Sequence, residues 1–105
     1  MKLMILVTAM LLIPTSGTVA QDADVEAGAA YAEQVCSPCH AVRPHQRHSP
    51  LPQAPSFQST ADTPGMTELA LTVFMQSSHP TMPNVLLEQD ELRNVVAYIR
   101  SLKTE

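Results

Sequence analysis

Five consecutive residues carry the most specific chemistry in this chain: Cys36-Ser37-Pro38-Cys39-His40. Residues three and four apart share one face of a helical turn. Two sulfurs placed this way reach the edge of one porphyrin and form thioethers with its two vinyl groups. The imidazole, four residues after the first thiol, then faces the iron from the same side. C-x-x-C-H is the attachment pattern of a c-type haem, so Cys36, Cys39 and His40 are the expected haem-binding residues, with His40 an iron ligand. Three other readings compete. A thioredoxin-like C-x-x-C needs a βαβ setting, and no segment here alternates apolar and polar residues with period two. A structural zinc site wants four ligands, commonly in two spaced pairs. His45 and His48 would have to form the second pair, but the gap after His40 is short and Pro44 interrupts it. The third is a chance match.

An iron that transfers electrons without binding substrate needs a sixth ligand, and a Met thioether opposite His raises the reduction potential. Met66, Met75 and Met82 are the candidates beyond the N-terminal segment. Met66 and Met75 fall in a helical pattern, where a core role is expected. Met82 falls in an irregular stretch between Pro80 and Pro83, where a loop can carry sulfur to the open face of a haem. Met82 is therefore the expected second iron ligand. His79 is the rival, giving bis-histidine iron, followed by His45 and His48; otherwise all three are exposed loop residues. Arg43 and Arg47 either meet haem propionates or face solvent.

The elements that must position these groups read as helices. Asp22 and Asp24 can cap a helix from Val25 to about Val35, with acidic residues favouring its dipole. Gly28 inside it costs about 1 kcal/mol relative to Ala, tolerable where a second helix crosses closely. Residues 41 to about 62 contain Pro44, Pro50, Pro52 and Pro55 without sustained periodicity, and read as a loop. So long a loop in a small domain is usually functional. Thr63-Pro64 reads as a helix start, with apolar positions 66, 69, 70, 73 and 74 on one face and an end near Ser77-Ser78. The stretch from His79 to Asn84 is a second loop. Leu92, Val95, Val96, Ile99 and Leu102 then follow helical spacing, with Glu88, Asp90 and Glu91 before them and Arg100 and Lys103 near the end. No strand is expected; the fold class is all-α with long loops.

The chain has 105 residues. Its start reads as a secretion signal: Met1-Lys2, a nearly unbroken apolar run over residues 3–13, Pro14, and small residues at Thr18 and Ala20. The run is roughly half the 20 residues that span a membrane, and an uncleaved membrane anchor is the rival reading. The expected organisation is a cleaved signal peptide at 1–20 and one domain at 21–105. Cleavage removes Lys2 and leaves five basic residues against ten acidic ones. That balance excludes a nucleic-acid partner, which requires a basic face. It suits a redox partner with a basic docking patch, through steering, and equally an acidic surface that serves solubility alone. Aromatics are few, namely Tyr31, Phe57, Phe74 and Tyr98, and Trp is absent. A flat apolar cofactor would fill the centre that side chains leave.

The mature region, about 24–102, resembles the small class I cytochromes c of bacteria. The resemblance rests on Gly28 and Tyr31, the Cys36–His40 motif, Met82-Pro83, and Val95-Val96-Ala97-Tyr98-Ile99. It implies a cytochrome c-like fold: three main helices with long loops wrapped around one haem c, and first and last helices crossing at Gly28 and Tyr98. The family often has an aromatic four residues before the first Cys. Here Ala32 stands there, and Tyr31 one residue earlier, which predicts a different packing at that point. The family holds its ligand histidine with a proline carbonyl; Ala54-Pro55-Ser56-Phe57 resembles that segment, making Pro55 the expected acceptor and Pro52 the reserve. The implied function is a periplasmic one-electron shuttle cycling Fe(III) and Fe(II), not an enzyme. The alternatives are a cytochrome subunit of a periplasmic oxidoreductase, and a haem sensor or enzyme with a displaceable sixth ligand.

Overall fold

Asp24 ends an extended stretch and caps the first helix: its carboxylate accepts the amide of Ala27 at 2.9 Å. The computed structural model describes Gly17 and residues 22–78, 80–83 and 86–105. The expected signal peptide at 1–20 lies, Gly17 apart, outside the described residues. Helix α1 spans Val25–Tyr31 and continues into a π turn over Ala32–Cys36. Helices α2 (Phe57–Asp62), α3 (Glu68–Gln76) and α4 (Gln89–Ser101) follow. No strand occurs among the described residues, and the fold is the expected all-α one.

The last helix is the spine. Leu92, Val95, Val96, Ile99 and Leu102 are all buried, as their spacing predicts, and Tyr98 joins them. Full burial of a Val, Leu or Ile side chain contributes roughly 1.5–3 kcal/mol. Glu88 caps the helix reciprocally with Glu91, whose Oε2 accepts the Glu88 amide at 3.0 Å. The other three helices all pack on α4, α1 most extensively. Gly28 makes that contact possible. A Cβ at this position would lie 2.0 Å from the carbonyl oxygen of Asn94 and 3.0 Å from Cβ of Tyr98. The two backbones therefore touch, and the Asp24 amide fastens the crossing by donating to Asn94 Oδ1 at 2.8 Å.

The continuous helix expected as far as Val35 changes pitch after Tyr31. The Ser37 amide donates to the Ala32 carbonyl at 3.0 Å, five residues back. A π turn accommodates one extra residue, and Tyr31, just before it, packs against the core. Ala32 is in the core, fully buried. The one-residue offset of the aromatic thus coincides with the turn. Burial, then the charges of Glu91 and Cys36, push the Tyr31 phenol up.

Three expectations about the middle of the chain are corrected. Residues 57–62 are helical, not loop: the prolines end at Pro55, and Ser56 caps α2 by accepting the Ser59 amide at 3.0 Å. Thr63-Pro64 does not begin a helix. Thr63 closes α2, Gly65 turns the chain at φ +77°, and the Met66 amide returns to the Thr63 carbonyl at 3.1 Å. Helix α3 starts after Thr67, whose hydroxyl accepts the Ala70 amide at 3.1 Å, so Met66 precedes it. The predicted apolar face is also misplaced. Leu71 is the residue α3 buries, while Leu69, Val73 and Phe74 are exposed. Residues 69–71 and 73–75 are all apolar, so spacing alone does not mark the inner face.

Gln58 ties the proline-rich loop to the spine. Fully buried, it accepts the His45 amide at 2.9 Å and donates to the Leu102 carbonyl at 2.6 Å. The first bond holds His45 at φ +64°, a left-handed conformation uncommon for a non-glycine residue. Asp62 accepts the Thr104 amide at 2.9 Å, the Gln58 amide group at 3.1 Å, the Thr104 hydroxyl at 2.8 Å and the Arg47 guanidinium at 3.0 Å. The bonds from Thr104 and Gln58 hold its carboxyl far below the usual carboxylate range.

Gly28→Ala separates two opposed effects. Helix propensity alone predicts a gain of about 1 kcal/mol; the crossing predicts a net loss of roughly 1–3 kcal/mol from overpacking, read from the urea midpoint. For Asp62, a depressed folded-state value stabilises above the unfolded value of about 4 and is lost as pH falls below it. The urea midpoint of the native protein is expected to exceed that of Asp62→Asn at pH 7, with the gap narrowing below about pH 4. A gap independent of pH contradicts this account of Asp62.

Candidate functional site

The π turn ends at the first cysteine of the motif, and the next turn is helical. The amides of Cys39 and His40 both return to the Cys36 carbonyl, at 3.2 and 2.9 Å. Cys36, Cys39 and His40 thereby line one cleft. Ser37 closes the turn from behind, donating its hydroxyl to the Glu33 carbonyl.

His40 Nδ1 donates to the carbonyl of Pro55 at 2.6 Å, the partner expected from the sequence. A proton on Nδ1 leaves the Nε2 lone pair available to a metal. The acceptor is itself fixed. The Leu51 amide donates to the Cys39 carbonyl at 3.1 Å, and the Phe57 amide to the Ala41 carbonyl at 2.9 Å, so the chain returns to the motif on both sides of Pro55. The Phe57 ring lies 5.6 Å from the imidazole, inclined at 51°, and 6.4 Å from the Tyr98 ring. Tyr98 is anchored in turn by donating its hydroxyl to the Val42 carbonyl at 2.6 Å.

The cleft contains about 730 Å³ of space, part of it open to solvent. Besides the motif residues its walls are Val35, Pro55, Phe57, Thr60, Leu71, Phe74, Met75, Met82 and Pro83. The four sequence-predicted residues Cys36, Cys39, His40 and Met82 therefore meet in one place. Met75, assigned to the core from its helical position, lines the same cleft. Met66 and Met75 both pack against the core, as expected. His45 and His48 are exposed loop residues, and His79 lies outside the described residues. Arg43 pairs with Glu33 at 2.5 Å and Arg47 with Asp62 at 3.0 Å.

Sequence reasoning missed Leu71, Thr60 and Phe74 as cleft residues. Leu71 and Phe74 fall in the nearly continuous apolar run of α3, and Thr60 in a helix read as loop. Phe57 was visible only through its place after Pro55.

The electrostatics of the first cysteine argue against thiolate chemistry. Burial pushes the Cys36 thiol up to about 11. At neutral pH it is a thiol, whereas redox-active cysteines work as thiolates. No group of three His, Cys, Asp or Glu that could hold a metal is gathered among the described residues. The donor set fits a haem: two thiols and one imidazole in an apolar cleft, Nδ1 occupied and Nε2 free, and Met sulfur within the same walls. No helix among the described residues is long and apolar enough to cross a membrane.

A helical fold around such a cleft defines a c-type haem protein, and the chain belongs to the cytochromes c. It is 34% identical over 94 residues to the cytochrome c-552 of Bradyrhizobium diazoefficiens, an alignment covering 90% of this chain and 89% of that protein. No family model matches the chain, and no solved structure matches it.

Proposed function

We propose that this protein is an exported one-electron carrier with a single haem c, joined to Cys36 and Cys39 by thioethers and held at its iron by His40 and Met82. The observation that carries the reading is the His40–Pro55 hydrogen bond at 2.6 Å. It fixes the tautomer and orientation a ligating imidazole needs, in a cleft that both cysteines and Met82 also line.

The haem, when bound, supplies the Fe(III)/Fe(II) couple. The protein's own residues do the rest. Cys36 and Cys39 anchor the group and prevent its loss. Phe57, Leu71 and Phe74 surround it with apolar surface, which disfavours the more highly charged ferric state. Pro55 orients His40. Met82 is preferred over Met75 because the chain around it is irregular and flanked by Pro80 and Pro83, whereas Met75 is carried by α3. A thioether opposite the imidazole raises the potential.

Residues 1–20 direct export and are removed before Gln21, which places the carrier in the periplasm. A haem held in the cleft would exchange electrons with redox proteins. The acidic mature chain steers toward a basic patch on such a partner, and the exposed Leu69 and Val73 of α3 give the encounter an apolar contact.

Replacing Met82 tests the ligand set. Met82→Ala is expected to keep its haem, lose potential, and bind added imidazole at the iron. Met75→Ala is expected to leave both properties unchanged. If Met75→Ala shifts the potential and Met82→Ala does not, the sixth ligand is Met75.

A further inference from the structure

We infer that Phe57 is a positioning residue for the iron-binding imidazole, fixing the rotation of the His40 ring about the bond it makes to a metal. The inference rests on the haem reading above. It goes further by assigning a role to a side chain that contributes no donor atom.

One hydrogen bond cannot define a ring plane. The bond from Nδ1 to the Pro55 carbonyl restrains the torsion about the His40 Cβ–Cγ bond, yet a hydrogen bond tolerates a wide range of angles and leaves the ring plane room to tilt. A second contact must stop that movement. Phe57 supplies it: its ring centroid lies 5.6 Å from that of His40, with the planes inclined at 51°. That is within the range where tilted aromatic pairs attract.

Phe57 is suited to the task because it is immobile. It is 6% exposed. Its backbone amide is bonded to the Ala41 carbonyl at 2.9 Å, next to His40 in sequence. On its other side stands the Tyr98 ring, 6.4 Å away and inclined at 57°, itself tethered through its hydroxyl to the Val42 carbonyl. The three rings form a line from the spine helix to the imidazole. Ser56, which caps α2, and Gln58, the buried tie, flank Phe57 and fix its backbone. A leucine at this position would fill space but present no ring face to the imidazole.

The test uses the mature holoprotein carrying Phe57→Leu, Phe57→Met or Phe57→Tyr. Haem attachment is verified first by the mass of each protein. The readout is the order and spread of the hyperfine-shifted haem methyl signals in the proton NMR spectrum of the ferric form, which follow the orientation of the axial ligand planes. Phe57→Leu and Phe57→Met are expected to reorder or compress these signals, and Phe57→Tyr to preserve the native pattern. Loss of packing alone lowers the urea midpoint but leaves the pattern in place. Native patterns in both the Leu and Met proteins, with haem attached, overturn the role of Phe57 and leave the haem reading intact. Absence of haem from the unsubstituted protein overturns the reading on which the inference stands.

Discussion

A single hydrogen bond organises this molecule: the imidazole of His40 against the carbonyl of Pro55. Everything within reach of the cleft serves to keep that donor and that acceptor facing each other across fifteen residues of chain. The motif turn fixes the donor side, through the amides that return to Cys36. The acceptor side is irregular and rich in proline, so its own backbone has few partners. It is held instead by two bonds back to the motif, at Cys39 and Ala41, and by α2 immediately after it. A hydrogen bond of this kind contributes about 0.5–1.5 kcal/mol net to a fold. The same bond therefore stabilises the fold and sets the chemistry.

The second constraint is the crossing of α1 and α4. Gly28 removes the side chain that would separate the helices, and the carbonyl of Asn94 fills the space. The π turn follows this contact in the chain and ends at Cys36. The spine helix thus reaches the cleft by two routes. One passes through α1 to the cysteines. The other passes through Tyr98 and Phe57 to the histidine, with Gln58 joining the end of α4 to the loop that carries both His45 and the approach to Pro55.

What the sequence disclosed follows from how local each signal is. The C-x-x-C-H motif, the stripe on α4 and the glycine in α1 are periodic or contiguous patterns, and all three stand in the structure where they were expected. Pro55 was found through its resemblance to a known segment, since nothing in composition singles it out from Pro52. The misses are non-local. Helix α2 is six residues long, too short for a periodic signature, and is held by the Ser56 cap, by burial of Phe57 and Ala61, and by Gln58 reaching Leu102, 44 residues away. Thr63-Pro64 has the composition of a helix start, but Gly65 in a left-handed conformation and the cap at Thr67 take precedence. The inner face of α3 was misjudged because almost every position there is apolar; only the position of the neighbouring helix decides that Leu71 points inward. The π turn leaves one trace in the sequence, an aromatic displaced by a single residue from the Cys.

The central claim is that one haem is covalently bound through Cys36 and Cys39 and gripped by His40. The most direct measurement is the intact mass of the exported protein together with its visible spectrum in the reduced state. The account predicts a mass increased by one haem, no thiol open to alkylation, and the sharp bands of a low-spin c-type haem. A colourless protein whose mass is that of the polypeptide alone, with two titratable thiols or one disulfide, would contradict it.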